Sequence, residues 1–190
     1  MLIAGVGNIF LGDDGFGTEV ARRLANAGLP DWVRVTDYGI SGLHLAYDMA
    51  DGYDTTILVD AAARGGEPGT LYVIEPDQDA AARMAGPVGL SPADTAGGRP
   101  FDAHGMQPDV VFGLVEMLGA KRGRVLVVGC EPASIEHGIG LSAPVAAAVD
   151  EAVRIVTGLV GDTASAANPD ASGAGANGAS TAATTDGRVQ

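Results

Sequence analysis

The sequence has few basic residues, a single cysteine and no long apolar run. Eleven Lys and Arg against 24 Asp and Glu give a formal net charge of −13, which argues against a nucleic-acid-binding surface. The lone Cys130 is typical of a reducing compartment. No basic leader segment precedes the first strand pattern, and no apolar run is long enough to cross a bilayer. We therefore expect a soluble cytoplasmic protein that binds neither nucleic acid nor membrane.

A glycine-rich loop, residues 5–17 (GVGNIFLGDDGFG), follows the first apolar strand and leads into a helix. Such loops often bind phosphate through backbone N–H groups at the helix N-terminus. The dinucleotide fingerprint fails because Phe10 occupies its third glycine position, and the P-loop pattern fails because Asp13 replaces the phosphate-binding lysine. Asp13 and Asp14 would repel phosphate, so we expect the loop to attract a cation or a proton. Alternatively, one aspartate caps the helix and the other is solvated.

Strand and helix patterns alternate along the first 161 residues. Apolar strands are predicted at residues 2–6, 33–37, 55–60, 70–74 and 124–129. The fourth follows the third too closely for a crossover helix, so we expect a hairpin that adds one antiparallel strand. The pattern predicts a three-layer, doubly wound α/β domain with a mostly parallel sheet of about five strands and helices on both faces.

Two segments lack the periodicity of helices and strands. Residues 76–103 are rich in Pro, Gly, Ala and Asp, and a connection this long is usually functional or mobile. Residues 162–190 contain no aromatic residue, Leu or Ile, so they cannot bury enough apolar surface to become ordered. We therefore predict one α/β domain over residues 1–161 and a disordered tail over residues 162–190.

Acidic and imidazole side chains are expected to meet at one edge of the sheet. Asp14 follows the first strand, Asp60 ends the third, and His104 precedes a helix that must begin at the same edge. A helix N-terminus disfavours imidazolium, so His104 should stay neutral and able to bind a metal. Carboxylates with imidazole suit a first-row divalent metal such as nickel or zinc. The alternative for His104 is a loop histidine bonded to backbone.

Other polar candidates have simpler interpretations. Cys130 follows a buried strand without a neighbouring His or Lys, so we expect a small buried hydrophobe. His44 and His137 are expected to form local hydrogen bonds. Glu131 is a weaker site candidate on the same edge as Asp60, although a solvated residue before Pro132 is the preferred interpretation. We expect Ser142 to cap the last helix. A Gly-x-Ser-x-Gly nucleophile motif is absent, which disfavours a serine hydrolase.

Several blocks of the sequence resemble the endopeptidases that mature [NiFe] hydrogenases. The matching blocks are residues 5–8 (GVGN), 12–17 (GDDGFG), 59–61 (VDA), 104–106 (HGM) and 140–142 (GLS). The resemblance implies an α/β fold and removal of a C-terminal extension from the hydrogenase large-subunit precursor after nickel insertion. It also implies that Asp14, Asp60 and His104 contact nickel. Asp14 stands where the family often has Glu, and it is one methylene shorter.

The sequence thus predicts an endopeptidase that recognises nickel already bound in the precursor and hydrolyses a nearby peptide bond. Asp14, Asp60 and His104 would contact the metal, which the substrate supplies, and one carboxylate would orient or activate water. No nucleotide cofactor is expected. The alternative is a non-catalytic, nickel-dependent chaperone that binds the same precursor with the same ligands. A nucleotide-binding oxidoreductase is disfavoured by Phe10 and Asp13.

Overall fold

The computed structural model of the protein describes residues 1–76, 108–120 and 123–167. Its helices pack on a five-stranded sheet. The strands are β1 (Leu2–Val6), β2 (Arg34–Gly39), β3 (Thr55–Ala61), β4 (Leu71–Ile74) and β5 (Arg124–Cys130). The helices are α1 (Phe16–Leu24), α2 (Gly42–Ala50), α3 (Pro108–Met117) and α4 (Ala143–Ala167), and a 3₁₀ turn at Gly12–Gly15 precedes α1.

The strand order is β2-β1-β3-β5-β4, with parallel pairing except between β4 and β5. This confirms the predicted mostly parallel sheet with one antiparallel strand. The predicted hairpin is wrong, because β4 pairs with β5, Leu71 opposite Cys130, and not with β3. The apolar strand β5 already occupies that edge of β3, where both of its faces can be buried. The chain after β3 therefore crosses the end of β5 to reach its outer edge.

Two apolar layers separate the sheet from its helices, which confirms the three-layer arrangement. Alternate strand residues point to opposite faces, as a pleated strand requires. One layer joins the sheet to α2 and α3 and includes Leu2, Ala4, Leu58, Val127, Leu45, Met49, Phe112 and Val115. The other joins it to α1 and α4 and includes Ile3, Ile57, Val59, Val128, Phe16, Val20, Val149 and Val156. These layers set the position of every strand end.

The last helix continues to Ala167, past the change in composition at residue 161. The remainder of the predicted tail, residues 168–190, and nearly all of the long connection predicted at residues 76–103 lie outside the described residues. Within the described ranges, no helix has both the length and the apolar character needed to span a membrane.

We predict that Gly17→Ala destabilises the protein because α1 crosses the sheet at this glycine. A Cβ atom at residue 17 would lie 2.2 Å from the carbonyl oxygen of Val6 and 2.1 Å from that of Val59. Both neighbours are backbone atoms, so relief requires α1 to move away from the sheet. We expect a loss of about 3 kcal/mol in the free energy of unfolding, measured by urea denaturation.

The matched control is Gly158→Ala in α4, where a Cβ atom would meet no atom within 4 Å. This change should leave stability unchanged or raise it by up to about 1 kcal/mol, because alanine is the better helix former. Equal stability of the two variants would contradict the close approach at Gly17.

Candidate active site

The glycine-rich loop folds back on its own backbone. Gly7 has φ +135°, and a Cβ atom there would lie 1.8 Å from the carbonyl oxygen of Asp14. The amide of Gly7 donates to the carbonyl of Gly39 across the end of β2. Residue 7 must therefore be glycine, because the backbone of Asp14 packs directly against it. The loop thereby places both aspartates at the carboxyl edge of the sheet.

Asp13 is buried and links two loops that are distant in sequence. Its Oδ2 accepts hydrogen bonds from the amides of Ala133 (2.8 Å) and Ser134 (3.1 Å) and from the hydroxyl of Ser142 (2.9 Å), and its Oδ1 accepts from the amide of Ser142 (2.6 Å). Burial raises the pKa of Asp13, but these hydrogen bonds outweigh burial and lower it overall. The alternative interpretation, in which one aspartate caps the helix and the other is solvated, does not describe Asp13. Its carboxylate instead stabilises the loop after β5.

Asp14 lies at the surface of the same turn, partly exposed. Its Oδ2 accepts a hydrogen bond from the amide of Asn8 at 2.7 Å, and the side chain of Asn8 accepts one from the amide of Phe10 at 3.0 Å. The side chain makes no capping hydrogen bond to α1, whose N-cap residue is Gly15. Asp14 is thus fixed at the edge of the sheet with its carboxylate accessible.

Asp60 ends β3, the strand next to β1, and it is partly buried. Burial is the main cause that raises the pKa of Asp60 to about 8, and the negative charge of Asp14 is the second cause. The amide of Ala61 donates a hydrogen bond to the carboxylate at 2.8 Å, which lowers the pKa and only partly offsets them. Because β1 and β3 are neighbouring parallel strands, the turn that carries Asp14 and the end of β3 that carries Asp60 lie at the same edge of the sheet. The predicted meeting of Asp14 and Asp60 at one edge is therefore present in the structure.

His104 falls outside the described residues, so its predicted place beside the two carboxylates stays a prediction. In the part of the chain that the structure describes, no three His, Cys, Asp or Glu side chains are grouped as a metal site would require.

The interpretation of Glu131 as a solvated residue is wrong. Its side chain is buried and accepts hydrogen bonds from the amides of Arg64 (2.8 Å) and Gly65 (3.1 Å) and from the hydroxyl of Tyr72 (2.9 Å). Burial raises the pKa of Glu131, but the hydrogen bonds lower it overall. Glu131 therefore holds the turn that follows Asp60. The available sequence signal was an acid placed directly after a fully apolar strand.

Three other side chains behave largely as the sequence indicated. Cys130 is fully buried, and burial, with the charges of Asp13 and Glu131, raises the pKa of its thiol to about 11. It acts as a small buried hydrophobe. The ring of His44 makes a local hydrogen bond with Ser41 at 2.7 Å. Ser142 immediately precedes α4 as predicted, but its hydroxyl donates to Asp13.

The fold is a three-layer α/β domain with two carboxylates, Asp14 and Asp60, at the carboxyl edge of its parallel strands. Residues 18–86 match the hydrogenase maturation protease family. The hydrogenase 2 maturation protease of Escherichia coli is 30% identical over 158 residues, which cover 82% of this chain and 87% of that protein. The hydrogenase expression/formation protein HupD of Rhizobium leguminosarum is 32% identical over 162 residues, 82% of this chain and 73% of that protein.

Solved structures agree with these relationships. The hydrogenase maturating endopeptidase HybD from E. coli superimposes with a TM-score of 0.65 at 28% identity, covering 85% of this chain and 92% of its own. A hydrogenase 2 maturation peptidase from a Thaumarchaeota archaeon gives a TM-score of 0.61 at 30% identity, covering 84% of this chain and 97% of its own. The chain belongs to the hydrogenase maturation protease family, and it is accordingly a peptidase of hydrogenase maturation.

We predict that Asp13→Asn destabilises the protein and loosens the loop after β5. An amide nitrogen would replace one oxygen that accepts from backbone N–H groups, so at least one buried donor would face another donor. The expected loss is about 2–3 kcal/mol in the free energy of unfolding at pH 7, whereas Asp31→Asn at an exposed site should cost almost nothing.

The difference between wild type and Asp13→Asn should depend on pH. Because folding lowers the pKa of Asp13, its contribution is complete above the unfolded value of about 3.9 and is lost as the pH falls through the folded value. A stability difference that stays constant from pH 6 down to pH 2.5 would refute this role.

We predict the opposite pH dependence for Asp60. The unfolded chain ionises this carboxyl near pH 4 and the folded chain only near pH 8, so the free energy of unfolding falls as the pH rises between these values. Asp60→Asn removes that dependence and should stabilise the protein at pH 8.5 by about 1–2 kcal/mol, a figure reduced because Asp60 is only partly buried. Thermal unfolding across pH 5–9 measures the effect, and a variant less stable than wild type at pH 8.5 would contradict it.

Proposed function

We propose that this peptidase removes the C-terminal extension of a [NiFe] hydrogenase large-subunit precursor after nickel insertion, and that it recognises the nickel bound in that precursor. The observation that carries the proposal is the pair of carboxylates at the carboxyl edge of the sheet, Asp14 in the turn after β1 and Asp60 near the end of the neighbouring strand β3. Burial, and after it the negative charge of Asp14, raises the pKa of Asp60, and a cation bound between the two carboxylates would offset both effects.

The nickel belongs to the substrate in this proposal. Two carboxylates, with His104 by the family motif, provide oxygen and nitrogen ligands of the kind that first-row divalent metals accept. Such a set is too small for a saturated structural site, which suits temporary contact with a metal that keeps other ligands in the precursor. The assignment of His104 rests on the motif and on its position before α3.

Peptide hydrolysis requires a water molecule to lose a proton as its oxygen attacks the carbonyl carbon, and the leaving amine to gain a proton. A carboxylate at the edge of the sheet can accept the first proton and return it to the amine. Burial and the charge of Asp14 raise the pKa of Asp60, and the amide of Asn8 holds the carboxylate of Asp14. Either carboxylate can serve as the base, while both approach the nickel.

The fold fixes both acids at this edge without using either as a helix cap. Gly7 and Gly17 let the chain of Asp14 lie against the ends of β1 and β3, and Glu131 holds the turn after Asp60. Both carboxylates are thus positioned by backbone hydrogen bonds before any substrate arrives. This preorganisation reduces the reorganisation needed when the precursor binds.

We predict that the purified protein cleaves nickel-loaded precursor and leaves nickel-free precursor intact. Mass spectrometry of both precursors after incubation measures the release of the C-terminal extension. We expect at least about a hundredfold faster cleavage of the nickel-loaded form, which corresponds to about 2.7 kcal/mol of recognition by the metal. Equal cleavage of the two forms would refute nickel recognition.

Asp60→Asn is the matched variant for this experiment, because it keeps the shape of the side chain but can neither ionise nor accept a proton as a carboxylate does. It should fold and should cleave the nickel-loaded precursor at least about a hundredfold more slowly than wild type. Unimpaired processing would remove Asp60 from the site. An intact precursor bound to wild-type protein would instead indicate a chaperone that holds the precursor without cutting it.

A further inference from the structure

Two loops at the same edge of the sheet as the two carboxylates expose four large apolar side chains between them. They belong to the loop after β1 and the loop after β5 and are Ile9 (51% exposed), Phe10 (60%), Ile135 (41%) and Ile139 (83%). We refer to these four residues as the apolar rim. Single exposed apolar residues are common on protein surfaces, but several on joined loops beside a reactive site indicate a contact surface.

Backbone hydrogen bonds join the two loops of the apolar rim into one unit. The amide of Gly138 donates to the carbonyl of Phe10, and the amide of Gly12 donates to the carbonyl of Gly138, each at 2.9 Å. Leu11 and Gly138 form an isolated parallel bridge. The amide of Asp13 donates to the carbonyl of Ser134 at 3.0 Å. The apolar side chains are therefore presented by loops whose backbones are paired with each other.

The apolar rim adjoins the proposed catalytic edge directly. Phe10 donates its amide to the side chain of Asn8, whose own amide holds the carboxylate of Asp14. On its other side, Ile9 forms part of the wall of a groove of about 320 Å³ that is also lined by Gly140 and Leu141. A chain that reaches Asp14 across this surface must pass the exposed side chains of Ile9 and Phe10.

We propose that the apolar rim binds an apolar segment of the precursor next to the bond that is cleaved. This inference rests on the proposed function, because it takes the precursor as the substrate. Contact with apolar side chains removes water from both partners, and the surface beside Asp14 then determines which segment reaches the carboxylates.

The net charge of the protein favours the precursor over a second copy of this chain or an anionic membrane as the partner of the apolar rim. A second copy of this chain would bring another 13 negative charges to the surface, and the anionic lipids of a membrane would be repelled in the same way. An uncharged, apolar protein segment carries no such repulsion. The partner chemistry that fits is therefore a segment rich in aliphatic or aromatic residues and poor in acidic ones.

Single-turnover cleavage of nickel-loaded precursor, with the protein in excess over a range of concentrations, tests the proposal. Phe10→Ser and Ile139→Ser should each raise the half-saturating protein concentration about tenfold, equivalent to about 1.4 kcal/mol of binding. The maximal rate should stay within about twofold of wild type, because neither side chain takes part in the proposed hydrolysis. Phe10→Leu keeps an apolar side chain and should stay within about threefold of the wild-type half-saturating concentration.

The matched control is Met117→Ser. Met117 is 71% exposed and ends α3, which leads into the start of β5 at the opposite edge of the sheet. Its half-saturating concentration should equal that of wild type. Thermal unfolding of all variants within about 2 °C of wild type confirms that the exposed substitutions leave the fold intact.

The outcomes separate this inference from the proposed function. If wild type cleaves the precursor and the half-saturating protein concentrations of Phe10→Ser and Ile139→Ser equal that of wild type, the docking proposal is overturned. The endopeptidase function is then unaffected. Precursor that binds wild type, but not the two rim variants, and is never cleaved would support docking and overturn the endopeptidase function. The proposal would also be overturned if sedimentation showed that the wild-type protein is a dimer, that Phe10→Ser dissociates the dimer, and that Phe10→Ser leaves the half-saturating protein concentration unchanged. The apolar rim would then bind a second copy of this chain.

Discussion

The buried carboxylate of Asp13 connects the two loops on which the candidate site depends. A buried charge is costly unless hydrogen bonds replace its water, and here three backbone amides and the hydroxyl of Ser142 do so. The same contacts bring the loop after β5 and the start of α4 against the glycine-rich loop. The surface position of Asp14 and the paired backbone beneath the apolar rim both follow from this one buried group.

Adjacent acids in one turn have different roles because the 3₁₀ turn points them in different directions. Asp13 faces inward, where its oxygens meet backbone donors, and Asp14 faces the edge of the sheet beside Asp60. The close approach of α1 to the strand ends at Gly17 permits this arrangement, since any side chain there would push the turn away. Asp13 thus stabilises the loops, while its neighbour Asp14 is left for the proposed chemistry. The glycines allow the turn to pack closely against the sheet.

The predicted order of strands and helices followed from apolar patterns that the chain carries locally. The alternation of strand and helix patterns indicated a mostly parallel sheet with helices on both faces, and Asp14 and Asp60 were placed at one edge because parallel strands end there. The pairing of β4 failed as a prediction because strand neighbours depend on which edge remains open after the other strands have assembled. Glu131 failed for a related reason, since its donors, Arg64, Gly65 and Tyr72, come from a distant segment.

The sequence by itself determined the α/β class, the parallel core, the acidic loop and the resemblance that led to the hydrogenase maturation proteases, because periodicity and motif spacing are local properties of the chain. Only the tertiary structure decided that Asp13 is a buried hydrogen-bond acceptor, that burial and the charge of Asp14 raise the pKa of Asp60, and that apolar side chains from two loops share one edge. Burial and electrostatic coupling depend on distances between residues that are far apart in sequence, and those distances exist only after the sheet has formed.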